Sequence, residues 1–281
     1  MQAIINNEAT GTINLLSIGG QHVFTINDPA SAITNIATQI AAYNSQLTGG
    51  KISGVDLDLE NGIPADTITA LAQGFKSAGL VVSAAPQVYN SNGAGGNVDS
   101  SNPTNLVLTS GGTSSTYTPA IASGYVDYLF AQTYNTGGWT IDGVSETSVD
   151  FFKAAARALN NCVKSDCSAY QSSTASAAIP VGTQVVVGEP ANGGASGTAN
   201  NIFASNGTTS YDQDTILNTL KTSINDLNAD PNYPYFDGAM MWSLNNDYFP
   251  GGGMTTTPPS AGSVRLSTGP LSPPRCISSC R

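Results

Sequence analysis

Ser53-Gly54-Val55-Asp56-Leu57-Asp58-Leu59-Glu60 is the stretch on which the reading of this chain turns. On an extended strand side chains alternate between faces. Val55, Leu57 and Leu59 then share one side while Asp56, Asp58 and Glu60 share the other, roughly 7 Å apart in succession. A strand with a solvated acidic face is one reading of this pattern. The surrounding elements favour another. Ile13 to Ile18 reads as a strand ended by Gly19-Gly20, and Asp28-Pro29 as an N-cap and first turn of a helix carrying Ile33, Ile36, Ala37 and Ile40 on one face. After the acidic strand come a helix with Ile68, Leu71 and Phe75 in register, closed by Gly79, and a strand from Leu80 to Ala85. A Gly/Ser/Asn-rich loop is expected from Asn90 to Ser115, then a strand over 126–134 and a helix around 149–159. A strand over 184–188, a helix with Ile216, Leu220, Ile224 and Leu227, and a strand from Phe236 to Ser243 complete the alternation. Strands alternating with helices imply right-handed βαβ units and a parallel sheet, in an α/β fold. Such sheets are covered on both faces, so the acidic row has no solvated side and points into the interior.

Composition narrows the chemistry. The 281 residues are 40% hydrophobic and only 10% charged, with 19 acidic against 9 basic side chains and a net charge of −10. That excludes a disordered chain and argues against nucleic acid or an anionic membrane, both of which need clustered Lys and Arg. No apolar run reaches the roughly 20 residues of a membrane helix. Met1 to Asn6 lacks the basic and apolar regions of a secretory signal. The four cysteines form close pairs, Cys162/Cys167 and Cys276/Cys280, read as two local disulfides or as loop thiols. Zinc is disfavoured, because His22 is the one histidine and no CxxC spacing occurs. Residues 251–281, rich in Gly, Pro, Ser and Thr, read as a flexible tail.

Polar residues collect where strands end: Ser17, Glu60, Gln87, Tyr134, Glu189 and Ser243. In parallel barrels chemistry sits at those ends. Carboxyl groups converging in a semi-enclosed space do not all stay ionised. Burial and like charge raise at least one pKa, which keeps a carboxyl protonated as a general acid near neutral pH. Tyr89 and Glu189 are candidates by position, His22 reads as a loop histidine, and Trp139 either stacks on a ligand or caps the core.

The acidic segment resembles the Asp-Gly-x-Asp-x-Asp-x-Glu signature of glycoside hydrolase family 18, the chitinase family. Further pieces occur in that family's order. Ser17-Ile18-Gly19-Gly20 resembles its Ser-x-Gly-Gly turn, Gln132-Thr133-Tyr134-Asn135 its Gln-x-Tyr-Asn motif, and Trp242 in Met240-Met241-Trp242-Ser243 its last-strand tryptophan. Ala84-Ala85-Pro86-Gln87, taken with the Gln-x-Tyr-Asn motif, is similar to the hevamine-like branch and its bacterial relatives. The resemblance spans roughly residues 12–249. Two departures stand out. Ser53 occupies a position where the family has Asp, and the Ser-x-Gly-Gly turn begins at residue 17, where the family places two βα units before it. The expected architecture is therefore a (β/α)8 TIM barrel over 1–250 with about six of its eight units present, truncated at its N-terminus.

The resemblance implies an endochitinase that cleaves β-1,4-linked N-acetylglucosamine with retention, using the substrate's own 2-acetamido group as nucleophile. Glu60 is then the general acid, Asp58 the partner of the acetamido N–H, Asp56 the group that sets the charge of Asp58, and Tyr134 the donor to the acetamido oxygen. Trp242 forms an apolar floor under the sugar, while Gln87, Gln132 and Asn135 bind its polar groups. Tyr134 and Trp242 also admit a plain core role. No metal or organic cofactor is called for, and a secreted monomer acting on chitin or N-acetylglucosamine oligosaccharides is expected. Two alternatives stay open: action on the chitobiose core of N-glycans, and a non-catalytic carbohydrate-binding protein on the same scaffold. Non-catalytic members usually lose the acid or its aspartate partner, and here Glu60 and Asp58 are both present.

Overall fold

The computed structural model describes residues 6, 9–21, 25–49, 51–163, 179–191, 195, 201–203 and 213–242. In chain order the elements are β1 (Asn14–Gly20), α1 (Pro29–Asn44), β2 (Ile52–Leu59), α2 (Ala65–Ser77), β3 (Val81–Ala84), β4 (Gln87–Asn90), β5 (Asn97–Val98) and β6 (Leu106–Thr109). They continue with α3 (Thr118–Ala122), β7 (Tyr128–Gln132), β8 (Thr140–Ile141), β9 (Val144–Ser145), α4 (Phe151–Asn161), β10 (Gln184–Pro190), α5 (Gln213–Ala229) and β11 (Phe236–Trp242). The main sheet runs β1-β2-β3-β7-β10-β11, and every neighbouring pair along it is parallel. The architecture is α/β with a mostly parallel central sheet.

The helices cover one face of that sheet. Val55, Leu57 and Leu59 of β2 are buried in the same apolar cluster as Ile68, Leu71, Ala72 and Phe75 of α2. Each such aliphatic side chain contributes about 1.5–3 kcal/mol on full burial. α1 starts as its sequence implies: Asp28 accepts hydrogen bonds from the Ser31 amide at 3.2 Å and the Ser31 hydroxyl at 2.5 Å, with Pro29 in the first turn. α2 carries Asp66 in its first turn and Lys76 in its last, both suited to the helix dipole. α1 and α2 approach closely at Gly74, where a Cβ would lie 2.2 Å from Ile33 Cδ1.

The stretch from Asn90 to Ser115 is not the uniform loop that its composition suggested. It contains β5 and β6, and β6 pairs antiparallel with β4. Leu106-Val107-Leu108 is a short apolar run, fully buried, which the surrounding Gly, Ser and Asn concealed. Pro86 lacks an amide hydrogen and separates β3 from β4. β4 still meets β7 at Gln87 and Gln132. A second small sheet, β5-β8-β9, lies beyond β7. Trp139 takes the capping role: it is fully buried, edge-on to Phe151 at 5.2 Å and to Tyr89 at 6.3 Å. Among the described residues no helix is long and apolar enough to cross a membrane. His22, Cys167, Ser243, Cys276, Cys280 and the expected tail over 251–281 lie outside the described residues, while Cys162 is buried.

Candidate active site

Asp56 and Asp58 stand on β2, and Glu60 directly follows it. Their apolar alternates anchor the strand from behind, so the acids face away from the helices. Register supplies their partners. Ser17 of β1 and Ser83 of β3 both sit opposite Asp56. The Ser17 hydroxyl donates to Asp56 Oδ2 at 2.9 Å and the Ser83 hydroxyl to Oδ1 at 2.5 Å. Gly19 sits opposite Asp58, and a Cβ there would lie 1.9 Å from the Asp58 carbonyl oxygen. With φ +123° as well, no other residue fits that turn. Gln132, at the end of β7, donates from Nε2 to Asp58 Oδ1 and to the Ala85 carbonyl, both at 2.8 Å. Gln87 donates from Nε2 to Glu60 Oε2 at 3.3 Å.

The strand is also pinned from its helix side. β2–β3 pairing reaches only Leu57–Ala84, which leaves the Leu59 amide without a strand partner there. Tyr117, fully buried, takes its place: its hydroxyl accepts from Leu59 N at 2.6 Å and lies 2.9 Å from the Leu57 carbonyl and 3.1 Å from that of Leu59. Its single hydrogen therefore serves one of two carbonyls flanking Asp58. The end of β2 is held rigid between its two acids.

One cleft of about 440 Å³ collects these groups. Asp56, Asp58, Glu60, Gln87, Gln132, Tyr134, Asn135 and Trp242 all line it, together with Ser17, Phe130, Met240 and Met241. Tyr134 is nearly buried whereas Trp242 is 49% exposed, so the tyrosine forms floor and the tryptophan rim. Asn135 adopts φ 61°, which turns the chain sharply just after Tyr134. Glu189 and Tyr89 do not line the cleft. Glu189 is out of step with Gly188 and Pro190 and so faces the helices, a consequence of period-two alternation.

The electrostatics follow from enclosure. Burial raises the pKa of Asp56, against which the Ser83 and Ser17 hydroxyls pull. Asp58 is pushed up to about 7, first by burial, then by the charges of Glu60 and Asp56. Burial also raises Glu60. Tyr134 is raised by burial, then by Asp58 and Glu189, and it remains a neutral phenol able to donate a hydrogen bond. Both oxygens of Asp56 accept from serine, which suits it to the charge, while Asp58 carries a proton below about pH 7. Among the described residues no basic side chain lines the cleft. Such an arrangement can deliver protons and stabilise developing positive charge, and it disfavours anions.

No family model matches the chain, and no match was found among curated proteins. Among the described residues no cluster of His, Cys, Asp and Glu has the geometry to hold a metal ion. Reading the strand ends alone missed Ser83, Tyr117 and Phe130. Ser83 had a signal, as the one polar residue in Leu80-Val81-Val82-Ser83-Ala84-Ala85. Tyr117 had none, since it acts from a loop distant in sequence.

Proposed function

We propose that this chain is a glycoside hydrolase of family 18 acting on chitin, built on a (β/α)8 barrel of which it carries about six units. The observation that carries this reading is the acid row on β2 facing one cleft with Tyr134, Gln132 and Trp242. A cleft of about 440 Å³ falls within the size range of small-ligand sites, and its negative lining favours a neutral ligand that becomes cationic during reaction.

In this mechanism Glu60, whose pKa burial raises, gives its proton to the glycosidic oxygen as the C1–O bond breaks. The acetamido oxygen of the same sugar attacks C1 and forms a cyclic oxazolinium ion, so the nucleophile arrives with the substrate. Asp58 accepts from the acetamido N–H and balances the positive ring, while Asp56, satisfied by two serines, lends charge from behind. Tyr134 donates to the acetamido oxygen and holds it in line with C1. The Glu60 carboxylate then takes a proton from water, which opens the ring with the anomeric configuration retained. Trp242 at the rim stacks on a sugar face, as a half-exposed indole can. Gln87, Gln132 and Asn135 bind hydroxyl and acetamido groups.

The test is cleavage of chitin oligomers by the wild type and by Glu60→Gln, with the product anomer followed by NMR. Cleavage that yields the β-anomer and disappears in the variant supports the reading. Equal activity in both proteins removes the mechanism. Turnover of N-glycan chitobiose in place of chitin moves the substrate without moving the chemistry, and saturable binding with no cleavage by either protein makes the chain a lectin.

A further inference from the structure

Behind the sheet, on the helix-covered face, a second acid is enclosed with no role in the cleft. Glu189 of β10 is 4% exposed and shares a pocket with Phe152 of α4, Leu217, Leu220 and Ile224 of α5, and Ala239 of β11. Its Oε1 lies 2.5 Å from Thr133 Oγ1, and its Oε2 has no hydrogen-bond partner among the described residues. Thr133 Oγ1 is also 2.9 Å from the Gly188 carbonyl oxygen. A hydroxyl has one hydrogen, and here it faces two acceptors unless one of them brings its own. The Gly188 carbonyl can only accept. A proton on Glu189 completes the set: Glu189 O–H donates to Thr133 Oγ1, and Thr133 O–H donates to the Gly188 carbonyl.

Thr133 is flanked by Gln132 and Tyr134, and its amide donates to the same Gly188 carbonyl at 3.1 Å. Beyond them, fully buried Glu146 accepts from Thr136 N at 2.8 Å, Thr136 Oγ1 at 2.7 Å and Gly138 N at 3.2 Å. The Tyr134 segment is thus held at both ends by enclosed carboxyls. We propose that Glu189 is a positioning residue that works as a neutral acid, pinning Thr133 to β10 and thereby fixing how Gln132 and Tyr134 enter the cleft. This rests on the reading of those two side chains as sugar-positioning groups. Burial drives the Glu189 pKa well above the carboxylate range, and Glu146 pushes the same way. Charged groups on the elements packed against β10 have other contacts, although the buried Arg157 Nε has no hydrogen-bond partner among the described residues. Lys153 of α4 is paired with Asp226 of α5 at 2.8 Å, Arg157 of α4 lies over Tyr233, and Asp237 of β11 accepts from the Val185 amide.

Two readouts test this without any assay of cleavage. The infrared difference spectrum between wild type and Glu189→Gln at neutral pH should contain the carbonyl stretch of a protonated carboxyl. A carboxylate band in its place overturns the proposal. Hydrogen exchange at the Thr133 amide should stay slow in Glu189→Gln, whose amide N–H replaces the acid's donor, and accelerate about tenfold or more in Glu189→Leu. Equal exchange in both variants overturns it as well. On chitin oligomers, Glu189→Leu should lower kcat by roughly tenfold to a hundredfold with KM little changed, and Glu189→Gln should restore it. If the Gln variant is as impaired as Leu, or Leu as active as wild type, the positioning role fails. Should the wild type cleave no chitin oligomer, the proposed function falls while the infrared and exchange results still decide the state of Glu189.

Discussion

The two faces of the sheet hold the same functional group under opposite conditions. On the open face Asp56, Asp58 and Glu60 line a cleft, each within reach of a hydroxyl or amide donor. Glu189 on the helix side and Glu146 just after β9 are sealed, 4% and 0% exposed, and bind the chain's own backbone and threonines. Burial raises the pKa in every case. The consequence depends on access. An acid with a raised pKa that meets solvent and ligand exchanges its proton and does chemistry. The same acid walled in by Phe152 and Leu220 serves as a fixed hydrogen-bonding group. A shifted pKa therefore marks a catalytic candidate only when the oxygen can be reached.

Substitutions on the two faces should fail in different ways. The largest effect belongs to Glu60→Gln. Cleavage of chitin oligomers should drop by about 10²–10⁴, the usual share of a general acid, with thermal melting unmoved. A comparable loss of melting temperature would erase the functional distinction between the faces. Glu146→Ala should show its main effect in stability. It strands the Thr136 and Gly138 amides and the Thr136 hydroxyl, and should cost on the order of 3 kcal/mol in urea unfolding. Tyr117→Phe removes the hydroxyl that receives the Leu59 amide, for a loss of about 1–3 kcal/mol, with kcat falling as the acids on either side loosen. A variant of unchanged stability and kcat would show that β2 needs no support from behind.

The smallest and most graded effect is in pH. Asp58 titrates near 7 when folded, well above an aspartate in the unfolded chain. Between about pH 4 and 7 the native state then holds a proton that the unfolded state releases, so stability falls as pH rises through that window. Asp58→Asn does not titrate. Its stability relative to wild type should climb with pH from about 4, at no more than about 1.4 kcal/mol per unit, and level off above about 7. Parallel denaturation profiles for the two proteins would contradict the enclosure of Asp58.

Much of the cleft was legible in one dimension because β2 alternates with period two. Val55, Leu57 and Leu59 had to be buried together, and that alone sent Asp56, Asp58 and Glu60 to the same side. Tyr134 could be placed beside them because parallel strands bring their C-terminal ends to one edge, whereas Gln132 was placed there through the resemblance of Gln132-Thr133-Tyr134-Asn135 to a family motif. The same rule misjudged Glu189. A strand end says which rim a residue occupies, but the face depends on one step of register, and Glu189 is a step out from Gly188. Composition hid Leu106 to Thr109 for a similar reason, since a strand of only that length is swamped by the Gly and Ser around it.

The alternation of the main-sheet strands with their helices, the parallel sheet and the acidic row came from the sequence alone, because each is set by local periodicity over a handful of residues. The tertiary structure decided which donor each acid receives: Ser83 and Ser17 for Asp56, Gln132 for Asp58, Thr133 for Glu189. It also decided that Tyr117 backs the strand from 58 residues away. Such pairings depend on strand register and on the depth of burial. Both are properties of chain segments brought together by folding, and no short window of residues contains them.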